Sequence, residues 1–379
     1  MDCLEKFEKN LAYHYSEVLN YPLAKPYWIY VSLTHRCTYN CQMCGVVKIL
    51  KGYELDGELL KRTLSEIGSW KWRSAVVFTG GEPFLRKDIF ELIEFSSGQG
   101  LVTECISNGY PIDQPTAEKI ILSGLQNIAV SIDGANALTH DAIREKGSFD
   151  RAVRALDYLV RSKKKEGRGP QISIWTTIMK ENVEELSQII YIARDLGVDC
   201  LVYHPVIVAQ DDMQNTSPQA PFWINSQQIP TLRHQIDTMV DYHKNNGLIP
   251  FLHDPYLWIR YFDGSLRREE WKCNPFVFIN IGPDGEVRSC GSSFGNLKDM
   301  SLGQCLVTNE SFEARRKMKN CQKPCLQTCW SHPESDSLEF IVEEFSRELK
   351  SKPPSQKVKY INKALSTINC YQKLLKKYV

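Results

Sequence analysis

The chain lacks the features that mark membrane, secreted and nucleic-acid-binding proteins. None of its apolar runs approaches the ~20 residues that a transmembrane helix needs. The formal net charge is only +1 over 379 residues, so we expect no nucleic-acid partner and no strong attraction to acidic membranes. The first residues include acids and predict an amphipathic helix rather than a signal peptide. Internal repeats and long low-complexity tracts are also missing from the sequence.

Cysteine, in contrast, is abundant, and its context argues against a disulfide framework. The chain has 13 cysteines, but it is long and carries no secretory signal. In a chain of this kind, cysteines more often bind metal in a reducing compartment. We therefore expect a cytoplasmic, metal-binding protein that oxygen would damage.

Three of the cysteines form a compact motif after the first predicted strand. Cys37, Cys41 and Cys44 follow a C-x3-C-x2-C spacing. Three thiolates on one short loop can hold three irons of a cubane cluster and leave the fourth iron open to a ligand. The alternative is a zinc knuckle, but zinc usually takes paired C-x2-C hooks with ligands from a second, distant hook. The α/β pattern that follows the triplet favours iron and sulfide.

Short runs rich in Val, Ile and Phe alternate with longer amphipathic patterns over the first half of the chain. The runs predict six strands, at Trp28–Thr34, Ala75–Thr79, Leu101–Ser107, Asn127–Ile132, Ile172–Met179 and Cys200–Val206. Five helical patterns lie between them, near Asp56–Ile67, Lys87–Ser97, Thr116–Ser123, Phe149–Lys163 and Val183–Leu196. This alternation predicts the α/β class, with a partial (β/α)6 barrel whose functional residues gather at the carboxyl ends of the strands.

The pattern changes in the second half of the chain. A small cysteine-rich α+β module with a Gly-Pro-Asp-Gly hairpin turn follows a connecting helix and an aromatic segment, and two helices close the chain. The predicted divisions are 1–24, 25–208, 209–270, 271–335 and 336–379. The last helix, near Lys357–Tyr378, is basic on one side. Such a face is either solvated or in contact with a membrane surface or an acidic partner.

A second motif ends the second predicted strand, where Gly80 and Gly81 precede Glu82 and Pro83. Two glycines let the backbone approach a ligand closely, and a glutamate can accept from an ammonium group. Alone, the run is equally typical of a tight strand-to-helix turn. Combined with the cysteine triplet, it resembles the radical S-adenosylmethionine (SAM) superfamily over residues 25–208.

This resemblance implies a chemistry for the first half of the chain. Cys37, Cys41 and Cys44 would ligate a [4Fe–4S] cluster whose open iron is chelated by S-adenosyl-L-methionine. The Gly-Gly-Glu run would contact the methionine amino group. One electron from the cluster would cleave the sulfonium and give a 5′-deoxyadenosyl radical that abstracts a substrate hydrogen. A low-potential reductant, such as flavodoxin or ferredoxin, would supply the electron.

Other residues near the strand ends complete the expected site. The predicted cofactor-binding set adds Met43, Ser107, Asn108, Ser131, Asp133, Arg144 and Thr177. Met43 stands where the family often has an aromatic residue near adenine, and it is polarizable enough to pack there. Arg144 resembles the arginine that reaches the cofactor carboxylate, although a solvated charge at a helix start is the alternative. Tyr203 and His204 are the predicted catalytic residues, which would orient substrate or pass a proton unless they are a structural, hydrogen-bonded pair.

A second cysteine set lies in the late module. Its predicted metal ligands are Cys273, Cys290, Cys321, Cys325 and Cys329. The first two flank Gly285 in a C-x11-G-x4-C spacing, which resembles the SPASM/Twitch extension of the same superfamily. The second half departs from that extension, because only a C-x3-C spacing is kept.

The cysteine count limits the number of clusters in this module. Two protein-ligated cubanes need about eight cysteines, and seven lie beyond position 250. We therefore expect one auxiliary [4Fe–4S] cluster, with two as the alternative, and the sequence does not decide which of Cys321, Cys325 and Cys329 is left over. A zinc site that includes His332 is a further alternative.

These features predict an enzyme that abstracts hydrogen for the oxidation or rearrangement of a small molecule. The first alternative is maturation of a ribosomally made peptide by crosslinking or epimerisation. An alternative of another class is a non-catalytic iron–sulfur or zinc protein, which would leave the Gly-Gly-Glu-Pro turn unexplained. Because the cysteine motif begins at Cys37, we expect no fused cobalamin-binding or peptide-recognition domain ahead of it.

Overall fold

The computed structural model describes most of the chain. The described residues are 2–45, 53–210, 213–215, 221–251, 254–267, 270–322, 325–326, 330–331 and 337–378. The predicted ligand Cys329, and His332 of the zinc alternative, lie outside these ranges.

A parallel sheet with intervening helices forms the first half of the molecule. After helix α1 (Cys3–Leu19), its strands are β1 (Trp28–Thr34), β2 (Ala75–Gly80), β3 (Val102–Ser107), β4 (Asn127–Ser131), β5 (Gln171–Ile178) and β6 (Cys200–Pro205). The helices between the strands are α2 (Gly57–Gly68), α3 (Ile89–Gly98), α4 (Gln114–Leu122), α5 (Ala137–Ile143), α6 (Ser148–Glu166) and α7 (Ile189–Leu196). Each strand pairs in parallel with the next, so all six carboxyl ends lie at one edge.

The two faces of this sheet differ in burial. Outward side chains such as Val31, Phe78 and Ile174 pack against the helices in the main hydrophobic core and are fully buried. On the inner face, alternate residues of β1, β3 and β5 keep part of their surface exposed. The interior of a closed eight-stranded barrel is filled with side chains. The partly exposed inner face therefore lines an open concavity.

The second half of the chain adds short strands and helices. The strands are β7 (Val208–Gln210), β8 (Met213–Asn215), β9 (Lys272–Cys273), β10 (Phe278–Ile281), β11 (Glu286–Ser289), β12 (Ser292–Asn296) and β13 (Trp330–Ser331). The helices are α8 (Ile229–Asn246), α9 (Leu257–Phe262), α10 (Leu302–Cys305), α11 (Asn309–Lys319), α12 (Leu338–Leu349) and α13 (Pro354–Tyr378).

The late hairpin is part of the main sheet. Strand β10 pairs in parallel with β1, and β11 and β12 follow it as antiparallel neighbours. The sheet therefore has nine strands in the order β12-β11-β10-β1-β2-β3-β4-β5-β6 and stays open. The predicted class, an α/β partial barrel with a cysteine-rich C-terminal module, is confirmed. The join between β10 and β1 was not predicted.

The terminal helices pack on one another. The rings of Phe7 on α1 and Phe345 on α12 have centroids 4.5 Å apart. Lys6 Nζ bonds Glu344 at 2.9 Å and Glu348 at 2.7 Å. On α13, Ala364 is buried in this cluster, whereas Leu365 is 54% exposed. No helix within the described ranges is both long and apolar enough to cross a membrane.

Candidate functional site

The Gly-Gly-Glu-Pro turn supports the start of the cysteine loop. The backbone N–H of Gly81 donates to Thr34 O at 2.7 Å, and that of Glu82 donates to Arg36 O at 2.8 Å. A Cβ atom on Gly81 would lie 2.2 Å from Arg36 O, far inside van der Waals contact. Gly80 has φ +123°, a region that glycine tolerates and other residues rarely adopt. The glycines thus let the end of β2 lie directly against the chain that leads into Cys37.

Glu82 is a fully buried carboxylate at this turn. It accepts hydrogen bonds from Ser107 Oγ at 2.9 Å, Asn108 N at 2.7 Å and Phe84 N at 3.2 Å. Burial raises the pKa of Glu82 to about 7, although these hydrogen bonds oppose the shift. Within the described ranges no lysine or arginine forms an ion pair with it. The carboxylate is therefore positioned by neutral donors alone.

Asn108 joins this carboxylate to the cysteine loop. While its backbone N–H binds Glu82, its side-chain Nδ2 lies 3.6 Å from Cys37 Sγ and 3.2 Å from Thr38 Oγ1. One residue at the end of β3 therefore connects the two sequence motifs. The loop is also held by Gln42, whose backbone N–H donates to Ile143 O at 2.9 Å.

Arg144 and Asp133 form a buried ion pair on the other side of the loop. Arg144 Nε donates to Asp133 Oδ2 at 2.6 Å, and the Asp133 side chain is fully buried. Asp133 Oδ1 accepts from the backbone N–H of Thr177 at 2.8 Å. The guanidinium is therefore fixed rather than solvated, and its two terminal nitrogens make no hydrogen bond to a described residue.

His140 binds the backbone of Asp133, one member of this ion pair. Its Nδ1 accepts from the backbone N–H of Asp133 at 3.0 Å, and its ring is fully buried. Burial lowers the pKa of His140 to about 4, helped by the positive charge of Arg144. Asn182 Nδ2 donates to the Asp133 carbonyl at 2.8 Å. His140 therefore acts as a neutral acceptor that orients Asp133.

The remaining predicted cofactor residues lie near the same edge of the sheet. Ser131 is buried at the end of β4, on the inner face. Met43 is half-buried and packs against the main core. Thr177 lies near the end of β5 and offers its backbone N–H to Asp133.

Tyr203 and His204 point to opposite faces of β6, as adjacent strand residues must. Tyr203 points outward, is 3% exposed and donates its hydroxyl to Leu186 O at 2.7 Å. His204 points inward, where its ring lies 6.0 Å from the ring of Trp175, and burial lowers its pKa. The Tyr203 hydroxyl is thus bound by the backbone of the chain, whereas His204 faces the inner side of the sheet. The catalytic roles of Tyr203 and His204 stay predictions.

The structure places four of the five late cysteines. Cys273 and Cys325 are buried, and Cys290 and Cys321 are partly exposed. Cys290 follows β11 with φ +47°, a left-handed backbone that is unusual for a residue with a side chain. Across the described residues, no three His, Cys, Asp or Glu side chains meet closely enough to hold a single metal ion.

The residues present fit an iron–sulfur cluster at the first cysteine set. Three thiols share one loop, an amide donor reaches Cys37, and the positive charge of Arg144 acts on Cys41. Burial raises the pKa of the Cys41 thiol to about 11, and Arg144 opposes this shift. A four-iron cluster is held at separate irons and needs no single point of convergence.

Sequence reasoning did not single out three supports of the site, Gln42, His140 and Asn182. Gln42 and Asn182 bond backbone groups distant in sequence, and His140 bonds the backbone of Asp133 across the loop after β4. None of these contacts follows from a helix or strand period, so no local pattern marks them. It also passed over Glu104, which lies within β3. The sequence does contain a signal for Glu104, because a charged side chain within a predicted buried strand is unusual.

Most of the first half of the chain matches a known protein family. Residues 31–196 match the family model described as the Radical SAM superfamily. This match spans β1 to α7 and includes both motifs, so this segment of the chain matches a radical SAM domain. Members of this superfamily bind a [4Fe–4S] cluster and S-adenosylmethionine. The resemblance drawn from the two motifs is confirmed.

Curated relatives match a similar length of the chain. An AdoMet-dependent heme synthase of Methanosarcina barkeri is 33% identical over 175 residues, which cover 45% of this chain and 48% of the relative. Mycofactocin maturase MftC of Mycolicibacterium smegmatis is 30% identical over 171 residues, 44% of this chain and 42% of the relative. The chain thus spans about half the length of the curated relatives that it matches.

A solved structure shares the fold over nearly the whole chain. Native anSMEcpe with bound AdoMet has a TM-score of 0.60 at 16% identity, covering 90% of this chain and 100% of that one. The same protein has also been solved with AdoMet and the Cp18Cys peptide, with a TM-score of 0.59. The fold similarity therefore extends past the radical SAM domain into the C-terminal module.

Proposed function

We propose that the chain is a radical SAM enzyme that cleaves S-adenosylmethionine reductively and abstracts a hydrogen atom from its substrate. One observation carries this proposal. The buried Glu82 carboxylate is linked through Asn108 to Cys37 and has only neutral hydrogen-bond donors among the described residues. A carboxylate in this position is suited to the ammonium group of a ligand bound beside the cysteine loop.

Each residue of the site then has a role. Cys37, Cys41 and Cys44 hold a [4Fe–4S] cluster, which together with S-adenosylmethionine supplies a 5′-deoxyadenosyl radical when both are bound. Glu82 accepts from the methionine ammonium. Arg144, fixed by Asp133, directs its terminal N–H groups to the methionine carboxylate.

The other predicted cofactor residues complete this site in the proposal. Gly80 and Gly81 keep the turn against the cysteine loop, and Met43 packs beside the adenine. The hydroxyl groups of Ser107, Ser131 and Thr177 and the amide of Asn108 surround the cofactor. His204, on the inner face, contacts the substrate.

The late cysteines hold one auxiliary [4Fe–4S] cluster in this account. Cys273 and Cys290 are two of its ligands, and two of Cys321, Cys325 and Cys329 complete the set. A low-potential flavodoxin or ferredoxin supplies electrons. Both clusters need a reducing environment, so we place the enzyme in the cytoplasm.

Oxidation or rearrangement of a small molecule is the first proposed reaction. Maturation of a ribosomally made peptide is the second candidate, favoured by the similarity to MftC and by the fold shared with anSMEcpe, which has been solved with a peptide. Mass spectrometry of short precursor peptides incubated with the reduced enzyme separates the two. A mass change that requires both S-adenosylmethionine and Cys41 supports the peptide reaction.

Anaerobic reconstitution tests the cofactor content. We expect about eight irons per wild-type chain and about four in the Cys37→Ala, Cys41→Ala, Cys44→Ala triple variant. The control is Cys370→Ala, which removes an exposed thiol on α13 and should leave the iron content unchanged. Zinc in place of iron, or equal iron in the wild type and the triple variant, would contradict the proposal.

A further inference from the structure

The inner face of the barrel carries one isolated charge. Strands β1 to β6 all lie in the described part of the chain, and Glu104 is the only Asp, Glu, Lys or Arg within them. Its cross-strand neighbours on this face are Val77 on β2 and Asn127 on β4. Charged residues are rare in central strands of parallel sheets, because such strands are normally covered on both faces.

The Glu104 carboxylate has few hydrogen bonds. Its Oε2 accepts from Asn127 Nδ2 at 3.4 Å, and Asn127 Oδ1 accepts from Ser173 Oγ at 3.0 Å. No ion pair to Glu104 occurs among the residues that the structure describes. A carboxylate can accept about four hydrogen bonds, so the described residues use only a small part of its capacity. Burial raises the pKa of Glu104, with Asn127 opposing the shift.

The Glu104 side chain keeps part of its surface exposed on the inner face. The inner-face residues Tyr30, Ile106 and Trp175 also keep part of their surface exposed, whereas their outward neighbours are buried. Ser173, on the inner face of β5, is fully buried. Glu104 stands three residues before Ser107, which is about 10 Å along the strand from the cofactor end. The concavity therefore joins the carboxylate to the place where hydrogen abstraction is proposed.

We propose that Glu104 binds a cationic group of the substrate, an amine or a guanidinium, while Asn127 and Ser173 orient its carboxylate. The inference rests on the proposed function, because it names the substrate class of the same concavity. A cation supplies the charge and the hydrogen bonds that the described residues do not provide. A free basic small molecule and a lysine or arginine side chain in a peptide share this chemistry.

Three probes with one phenyl ring test the charge preference. Phenethylammonium, 2-phenylethanol and 3-phenylpropanoate are titrated into the reconstituted full chain, and binding is followed by ligand-observed NMR. We expect wild type to bind the ammonium at least tenfold more tightly than the alcohol. Glu104→Gln should abolish this preference, and Glu94→Gln, on the exposed face of α3, should keep it. Glu104→Lys should favour the carboxylate instead.

A second probe pair distinguishes the sources of the cation. N-acetyl-lysine amide and N-acetyl-norleucine amide differ only in the side-chain amine. Preference for the lysine compound over phenethylammonium indicates a peptide source, and the reverse indicates a free amine. Absence of any charge preference in wild type, or an unchanged preference in Glu104→Gln, overturns the inference.

Formation of 5′-deoxyadenosine separates this inference from the proposed function. If wild type forms none but keeps its Glu104-dependent charge preference, the radical function fails and the binding inference stands. If wild type forms it without any charge preference, only the binding inference fails.

Discussion

At the scale of single residues, Glu82 is a buried carboxylate that is preorganised to accept a hydrogen bond from a ligand. Three neutral donors position its carboxylate without neutralising it, and burial makes the charged form costly. An incoming ammonium would relieve this cost. The preorganised acceptor therefore favours the cationic end of an amino acid over a neutral group.

Replacement of Glu82 by Gln should weaken S-adenosylmethionine binding about ten- to a hundredfold. Gln keeps the shape but loses the charge, and a hydrogen bond to a charged group contributes roughly 1.5–3 kcal/mol. Anaerobic calorimetry on reconstituted protein measures the change, with iron content expected to match wild type. Unchanged affinity would show that Glu82 does not contact the cofactor.

His140 predicts a dependence of stability on pH. It is buried in its neutral form with a pKa near 4, against 6.5 for an ordinary histidine. The unfolded chain therefore binds more protons between these values, so stability is full above pH 6.5 and falls as the pH drops towards 4. Arg144, Asp133 and Asp141 are the charged groups that act on its ring.

The test replaces His140 by Asn, whose Oδ1 can still accept from the Asp133 backbone N–H. Between pH 7 and pH 5 the thermal midpoint of wild type should fall further than that of His140→Asn. The full effect of the titration is of the order of 3 kcal/mol at pH 4. Parallel pH profiles would mean that His140 does not remain neutral in the folded state.

At the scale of elements, the Gly-Gly-Glu-Pro turn serves the cysteine loop as well as the ligand. The sequence indicated glycines that permit close approach to a ligand. The structure shows that the close approach is made to the backbone between Thr34 and Arg36. The two motifs therefore form one unit, because a shift of the turn would displace Cys37.

Gly81→Ala should therefore lower both stability and iron content. The new Cβ would lie 2.2 Å from Arg36 O, and relief of such a clash by backbone movement costs about 1–3 kcal/mol. Thermal midpoint and iron per chain measure the two effects. The matched control is Gly98→Ala at the end of α3, where a Cβ meets nothing within 4 Å and stability should be kept or raised. Similar results for both variants would contradict this account of the turn.

Most elements of the barrel could be predicted because their signals are local. The strand at Trp28–Thr34 agrees residue for residue, since a short apolar run between polar loops marks it. The pairing of β10 with β1 could not be predicted, because the partners are about 250 residues apart and β10 resembles any hairpin strand. The motif residues of the site were found by their spacing, whereas Gln42, His140 and Asn182 depend on tertiary contacts.

At the scale of the whole molecule, one sheet positions the first cysteine loop and Cys290 of the late set. The first loop follows β1, and Cys290 follows β11, which is joined to β1 through β10. Glu66 on α2 adds a second link, since its carboxylate accepts from Leu302 N at 3.0 Å and Gly303 N at 2.7 Å. The C-terminal module is thus anchored to the barrel at two places.

Chromatography for 5′-deoxyadenosine tests the central claim most directly. The reconstituted wild type and the Cys37/Cys41/Cys44→Ala variant are each incubated anaerobically with dithionite and S-adenosylmethionine. We expect 5′-deoxyadenosine from wild type alone, even when the variant keeps its auxiliary iron. Equal amounts from both proteins, or none from a wild type that carries about eight irons and binds S-adenosylmethionine, would contradict the account.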